Sequence, residues 1–370
     1  MSETHDETPF PGEQPDTRPV RASEQLDWES LASYLRALLP GVAGVSFDDV
    51  DAPLEVAQFP GGHSNLTYLL RLGREEFVMR RPPFGPVAPK AHDMAREFRI
   101  LRALHPVFPL APRPVMLCED AQVVGSVFYL MERRRGLVVR GEEPPQLEGR
   151  PEERRRAGAA VVDVLAGLHA VDVRAHGLDS LGKSAGFVGR QVRGWTERWH
   201  RSRTDELLEM DALAEWLSER LPPDPERPTL VHGDYKLDNV MLDARDVGRV
   251  VGVFDWEMSA VGDPLVDLGI LLGYWVHTAT AARHDSVATV TNREGWFTRE
   301  EILERYGSRT GFDLAGVGFY EVFAVFKLAV VLQQIFFRYR SGQTDDPRFA
   351  SLGERVAWLA RVGAQLAGKA

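Results

Sequence analysis

The spacing of apolar residues divides the chain into a strand-rich first third and a helix-rich remainder. Trp28, Leu31, Leu35 and Leu38 recur every three or four residues and predict a short helix that Pro40 ends. Residues 54–59 predict a strand, and Pro60-Gly61-Gly62-His63-Ser64-Asn65 a turn. Leu66–Leu72 and Glu75–Arg81 predict two strands joined at Gly73-Arg74, a hairpin signal. Helical spacing returns over 91–104, at Met94, Phe98 and Leu101, and 115–118 and 125–132 predict two more strands. This order predicts a small α+β domain.

Residues 133–156 are polar, with glycine, proline and eight arginines, and predict a linker or exposed insertion. Beyond them the periodicity is helical, over about 152–171, 187–203, 205–220, 263–277, 298–310, 316–340 and 346–367. Thr298 with Glu301 forms a capping-box start. One β-rich island, 229–254, is set among these helices. The expected division is a disordered acidic tail over 1–25, an N-lobe over 26–132 and a helical C-lobe over 133–370. The tail holds four prolines and almost no apolar residues, too few to offset its ordering entropy.

Composition narrows the function. Over 370 residues, 44 Lys+Arg stand against 54 Asp+Glu, a net charge of −10 that argues against general nucleic-acid binding. The single cysteine, Cys118, excludes an internal disulfide and cysteine-based zinc sites. No uninterrupted apolar run reaches the ~18 residues of a membrane span, and Lys327 breaks the run 322–337, which reads as a core helix. Residues 1–11 lack the basic-then-apolar order of an export signal, so the expected compartment is the cytoplasm, with neither a membrane nor an obligate protein partner.

The island carries the chemistry. His232-Gly233-Asp234 lies on a loop, Asn239 follows five residues after the aspartate, and Asp255 ends the next apolar strand. This pattern matches the catalytic core of kinase-like phosphotransferases. In-line phosphoryl transfer needs an acceptor hydroxyl held against the γ-phosphate and a divalent metal to neutralise phosphate charge. Asp234 would orient that hydroxyl or accept its proton. Asn239 and Asp255 would give hard oxygen ligands to Mg²⁺, and His232 would brace the loop. Upstream, Gly61 and Gly62, with Ser64 and Asn65, occupy the place of a phosphate-covering turn, although such a turn alone also fits an ordinary hairpin. A kinase further needs a cation on the third strand paired with a carboxylate on the next helix. Arg80 and Glu97 take those positions, with Arg81 as the alternative to Arg80.

With these residues the sequence resembles the aminoglycoside phosphotransferase-like enzymes from about 54 to 332. Within them it is most similar to the branch found as the kinase domain of multidomain acyl-CoA dehydrogenase proteins. The segments that carry this are 61–65, Val78-Met79-Arg80-Arg81-Pro82-Pro83, Ala91–Glu97, Tyr129–Glu132, Gln191–Trp195, Asp255-Trp256-Glu257 and Gly262–Gly269. The resemblance implies a bilobal protein-kinase-like fold, with a small β-rich N-lobe and a large helical C-lobe. It implies ATP, with GTP left open, in the interlobe cleft, and Mg²⁺. It also implies that the backbone of Met131, Glu132 and Arg133 meets the adenine. The implied reaction is phosphorylation of a small-molecule hydroxyl, with a hydroxyacyl-CoA as the branch's suggestion and an aminoglycoside or other small alcohol as the alternative. Arg80 departs from the lysine common at this position, and its longer planar head changes reach and geometry.

Three further readings compete. Gly177–Ser184 fits G-x-x-x-x-G-K-S, but a P-loop needs a strand before it, and residues 159–171 are helical in spacing. A non-catalytic kinase-like nucleotide-binding protein would be expected to lack part of the Asp234, Asn239 and Asp255 set, which is complete. Trp195 and Trp199 with arginines 193, 198, 201 and 203 form a basic-aromatic helix face, which fits packing plus solvated charge or a dock for an anionic substrate portion. Residues 205–226 carry eight acids and one arginine, so charge leaves the acceptor open.

Overall fold

The computed structural model describes residues 16–42, 45, 51–60, 65–85, 92–275 and 290–370. Contacts divide the chain into two units, Met1–Arg102 with Arg113–Arg133, and Ala103–Pro112 with Arg134–Ala370. The first is β-rich and the second mostly helical, the α+β fold class expected.

In the first unit β1 (Leu54–Gln58), β2 (Leu66–Leu72), β3 (Glu75–Arg81), β4 (Pro114–Cys118) and β5 (Phe128–Glu132) form one antiparallel sheet in the order β1-β2-β3-β5-β4. Alternation assigns its faces. Tyr68, Leu70, Leu72, Phe77 and Met79 point one way, into a core shared with Leu31, Leu35 and Leu39. The first two of these leucines lie on α1 (Trp28–Leu38), whose first turn is capped by Asp27 accepting from Ser30 N at 2.9 Å. Val78 and Arg80 share the opposite parity of β3, which places Arg80 against α2 (Met94–Leu104).

The expected tail is corrected from residue 16 onward. Arg18 and Gln58 exchange backbone hydrogen bonds at 2.8 and 2.7 Å, Tyr68 OH donates to Glu24 O at 2.9 Å, and Val20 and Leu26 pack on the core. Two apolar anchors are too sparse to show as periodicity. Residues 1–15 lie outside the described residues.

The second unit holds α3 (Pro151–His169), α4 (Phe187–Ser202), α5 (Leu208–Glu219), α6 (Leu265–Tyr274), α7 (Arg299–Thr310), α8 (Val317–Arg340) and α9 (Leu352–Ala367). Between them run β6 (Leu137–Val138), β7 (Thr229–Val231), β8 (Val240–Leu242), β9 (Val250–Val253) and β10 (Ala260–Gly262), paired as β10-β7 and β6-β8-β9. Helix α8 is long and apolar enough to cross a membrane by length and composition, but it is mostly buried inside this unit, where α6 and α9 cover it. The approach of α6 requires Gly269, because a Cβ there would stand 2.5 Å from Tyr320 O.

The segment expected as a linker or exposed insertion is partly built into this unit. Leu137 and Val138 pair with Leu242 and Met241. The Glu143 side chain, 1% exposed, meets Arg154 at 2.8 Å and Arg293 at 2.6 Å, which hold its carboxyl below the ordinary range despite burial. A charged pattern here conceals an internal ion cluster.

Candidate active site

The loop between β7 and β8 is pinned from beneath by one carboxylate. Asp267, on the first turn of α6 and fully buried, accepts from His232 N at 2.6 Å and from Gly233 N at 2.7 Å. Burial would raise its pKa, but His169 at 3.2 Å and the loop donors outweigh that and keep it ionised. His169 is itself fixed by Tyr306 OH at 2.7 Å. Gly233 has φ +83°, and a Cβ there would lie 2.8 Å from Met258 O, so only glycine fits this turn.

His232 is fully buried, and burial lowers its pKa against the pull of Asp267, Asp234 and Asp255. The neutral ring joins both halves of the site: Nε2 donates to Phe254 O at 2.9 Å, and Nδ1 accepts from Asp234 N at 3.2 Å. It braces the loop, and accepting at Nδ1 while donating from Nε2 requires the uncharged ring.

Strands β8 and β9 bring the remaining oxygen donors to the same end. Val240 pairs with Val253, so Asn239 and Phe254 are neighbours, with Phe254 N donating to Asn239 O at 2.9 Å. Asp255 follows in the left-handed region at φ 70°, which aspartate tolerates better than most residues. Asn239 donates from Nδ2 to Asp234 O at 2.9 Å and to Asp234 Oδ2 at 3.2 Å. The three residues separated along the sequence therefore gather at one loop cluster.

Two lysines join them that the motif alone does not supply. Lys236 Nζ lies 2.5 Å from Asp234 Oδ2 and 4.9 Å from the centre of the Tyr274 ring. Burial would lower its pKa, but Tyr274 and Asp234 overcome this and raise it. Lys327, from the middle of α8, donates to Gly233 O and stands 3.9 Å from Asp234 Oδ1, its pKa lowered by burial. Its one sequence signal is a lone cation inside the apolar run of α8.

In the first unit Arg80 Nε is 3.3 Å from Glu97 Oε2, with side-chain exposures of 10% and 1%. Arg81 turns to the other face, toward Val124 O at 3.4 Å and the Phe84 ring. Asn65 is buried, 2.8 Å from His92 Nδ1, whereas Gly61, Gly62 and Ser64 lie outside the described residues. Met131 is buried in β5 opposite Val78. Glu132 is tied to Arg113 twice, through its N–H to Arg113 O and through its carboxylate from Arg113 N. Arg133 lies over the Phe59 ring and meets Asp16. The G-x-x-x-x-G-K-S look-alike follows helix α3 and forms a short turn of 3-10 helix over Leu178–Leu181, without the strand a P-loop needs.

Residues 55–304 match the model of a phosphotransferase enzyme family. Acyl-CoA dehydrogenase family member 11 of Rattus norvegicus is 35% identical over 95% of this chain and 44% of its own length. Member 10 of Mus musculus is 34% identical over 96% of this chain and 32% of its own length. The chain thus spans less than half the length of these curated relatives. A Ralstonia eutropha protein provisionally assigned as an aminoglycoside phosphotransferase is 31% identical, with a TM-score of 0.74 over 93% of this chain and 99% of that one. A ternary complex of the phosphotransferase APH(4)-Ia with ADP and hygromycin B shares the fold at 16% identity, with a TM-score of 0.53 over 90% of this chain and 99% of that one.

Proposed function

The chain belongs to this phosphotransferase enzyme family, and from that premise we propose that it is an ATP- and Mg²⁺-dependent kinase acting on a hydroxyl group of a small molecule. Asp234 receives the hydroxyl proton. The acceptor oxygen attacks the γ-phosphorus, the bond from that phosphorus to the β–γ bridging oxygen breaks, and ADP leaves with the electron pair. Lys236 offsets negative charge that builds on the transferring group.

Asn239 commits its amide nitrogen to Asp234, which leaves its oxygen to meet a cation, and Asp255 brings a carboxylate beside it. One amide oxygen and one carboxylate are hard donors of the kind that would hold Mg²⁺. The metal, when bound, neutralises phosphate charge. Arg80, oriented by Glu97, takes a phosphate oxygen, and Asn65 with Gly61, Gly62 and Ser64 covers the phosphates. The purine is met by backbone groups of Met131 and Arg133. Glu132 adds rigidity there, since its N–H already serves Arg113.

The acceptor in this reading is a hydroxyacyl-CoA. The acyl-CoA dehydrogenase names of the relatives support it, because a phosphorylated chain hydroxyl is a leaving group for later acyl chemistry. The observation that carries the kinase reading is the Asp234 carboxylate, held by Lys236 and Asn239 on a loop that Asp267 fixes. Pure protein with ATP and Mg²⁺ should form ADP and phosphorylated acceptor in equal amounts. Asp234→Asn should lower kcat by about 10² or more with unchanged circular dichroism; equal turnover in that variant would refute the assignment.

A further inference from the structure

A cavity of about 340 Å³ opens between the start of α4 and strand β10, within the range of small-molecule sites. Phe187 and Val261, both buried, and Ala260 give it apolar walls. Gln191 lines it as well, and its side-chain amide has no hydrogen-bond partner among the described residues. Lys183 and Arg190 are exposed and stand at its rim, and neither has an ion-pair partner among the described residues. The backbone carbonyls of Lys183 and Ala185 hold the Arg190 head in place and leave other N–H groups of its fork free. Asp224 already takes the N–H of Gly186 at the head of α4, so the donors on offer here belong to side chains. Lys183 is also the lysine of the G-x-x-x-x-G-K-S look-alike, which the catalytic residues leave unused.

The cavity lies on a track that ends at Asp234, because α4 runs beside β10 and both lead to the catalytic loop. At the remote end Phe187 packs on Gly262 so closely that a Cβ there would lie 2.3 Å from its ring. Nearer the loop, Ala260 pairs with Val231, the residue before His232, and Ser259 Oγ donates to His232 O at 3.3 Å. On the helix side Trp195 faces the ammonium of Lys327, 5.4 Å from its ring centre, and that ammonium bonds Gly233 O. Phe187, Gln191 and Trp195 are spaced by four residues and share one face of α4, which rises about 12 Å from the first to the third. Lys183 precedes the helix, at the end away from Trp195. Apolar walls with cations at the far end suit a long acceptor whose negative charge is remote from its reacting hydroxyl.

We propose that this cavity between α4 and β10 holds the pantetheine arm of an acyl-CoA acceptor, with Lys183 and Arg190 meeting the coenzyme A phosphates at its outer end. This rests on the kinase reading above and deepens it. A pantetheine arm, extended, spans about 14 Å, taking ~3.5 Å for every three chain bonds. That length matches the run of α4 from the cation end of the cavity to the loop. The two amides of pantetheine offer both a donor and an acceptor to Gln191, and the carbon segments between them lie on Phe187, Ala260 and Val261. The thioester then points past Gln191 toward the loop, and the acyl hydroxyl reaches Asp234 without bringing a negative group beside it.

The test uses 3- and 4-hydroxyhexanoate as coenzyme A thioesters, as pantetheine thioesters, which lack the phosphates, and as free acids. Each is measured for turnover with MgATP and, separately, for binding by calorimetry. The coenzyme A thioesters should have a KM roughly tenfold or more below that of the pantetheine thioesters. Lys183→Gln, alone and with Arg190→Gln, should narrow that gap by raising KM for the coenzyme A thioesters about tenfold more than for the pantetheine thioesters. Gln191→Trp fills the cavity and should raise KM for both thioesters well beyond its effect on the free acids. Circular dichroism checks that each variant is folded, and the exposed Lys183 gives a variant that leaves the core untouched. Equal KM for the two thioesters in the wild type, or charge variants acting equally on both, would overturn the arm site. Transfer to the free acids with no preference for thioesters would keep the kinase reading and remove the arm site. Thioester binding that depends on Lys183 and Arg190, without phosphoryl transfer to any acceptor, would keep the arm site and remove the kinase reading.

Discussion

Replacing Asp267 with asparagine isolates the support of the catalytic loop from its chemistry, because among the described residues the carboxylate of Asp267 is hydrogen-bonded to the loop backbone and His169. The carboxylate accepts two backbone N–H groups at 2.6 and 2.7 Å in a fully buried position. Charge-assisted bonds of this kind contribute roughly 1.5–3 kcal/mol each. Asp267→Asn keeps the shape, and its amide oxygen can serve one N–H. Its NH₂ then faces the other, leaving a buried donor unsatisfied at about 1–3 kcal/mol. Together with the weakened remaining bond, the expected destabilisation is about 2–4 kcal/mol, a large share of a domain's ~5–15 kcal/mol. Urea denaturation of the wild type and the variant with equal m-values measures it. The depressed folded-state pKa of Asp267 adds a pH signature. Its contribution is complete above the unfolded value near ~4 and is lost as pH falls below it, so the difference between the two proteins should hold from pH 5 to 8 and shrink below about pH 4. A variant within 0.5 kcal/mol of the wild type at pH 7, on the order of the spread for surface changes, would refute this account of the loop.

Glu97→Gln should cost about 3 kcal/mol, since it leaves the buried charge of Arg80 undercompensated; thermal melting reads it, and nucleotide affinity should fall with it. Gly233→Ala forces a left-handed residue against Met258 O and should cost about 2 kcal/mol or more, with turnover falling further than stability at temperatures where the variant is folded.

Much of this was legible because two periods carry it. Alternation along β3 separates Arg80 from Arg81, and the structure places the first on Glu97 and the second on Val124. Strands β2 and β3 coincide with their predicted ranges because their hydrophobic parity is regular. The interval from Asp234 to Asn239 to Asp255 is short enough for one hairpin, β8 with β9, to close it. What escaped depends on distance or on hidden charge. Lys327 reaches Asp234 only because α8 passes behind the loop, and no local pattern encodes that crossing. Glu143 and Arg154 sit in an arginine-rich stretch whose polarity reads as exposure, yet a charge can be buried where a matched partner offsets part of its desolvation cost. Lys236 stood in plain view two residues after Asp234, but only the fold shows it bent back onto the carboxylate.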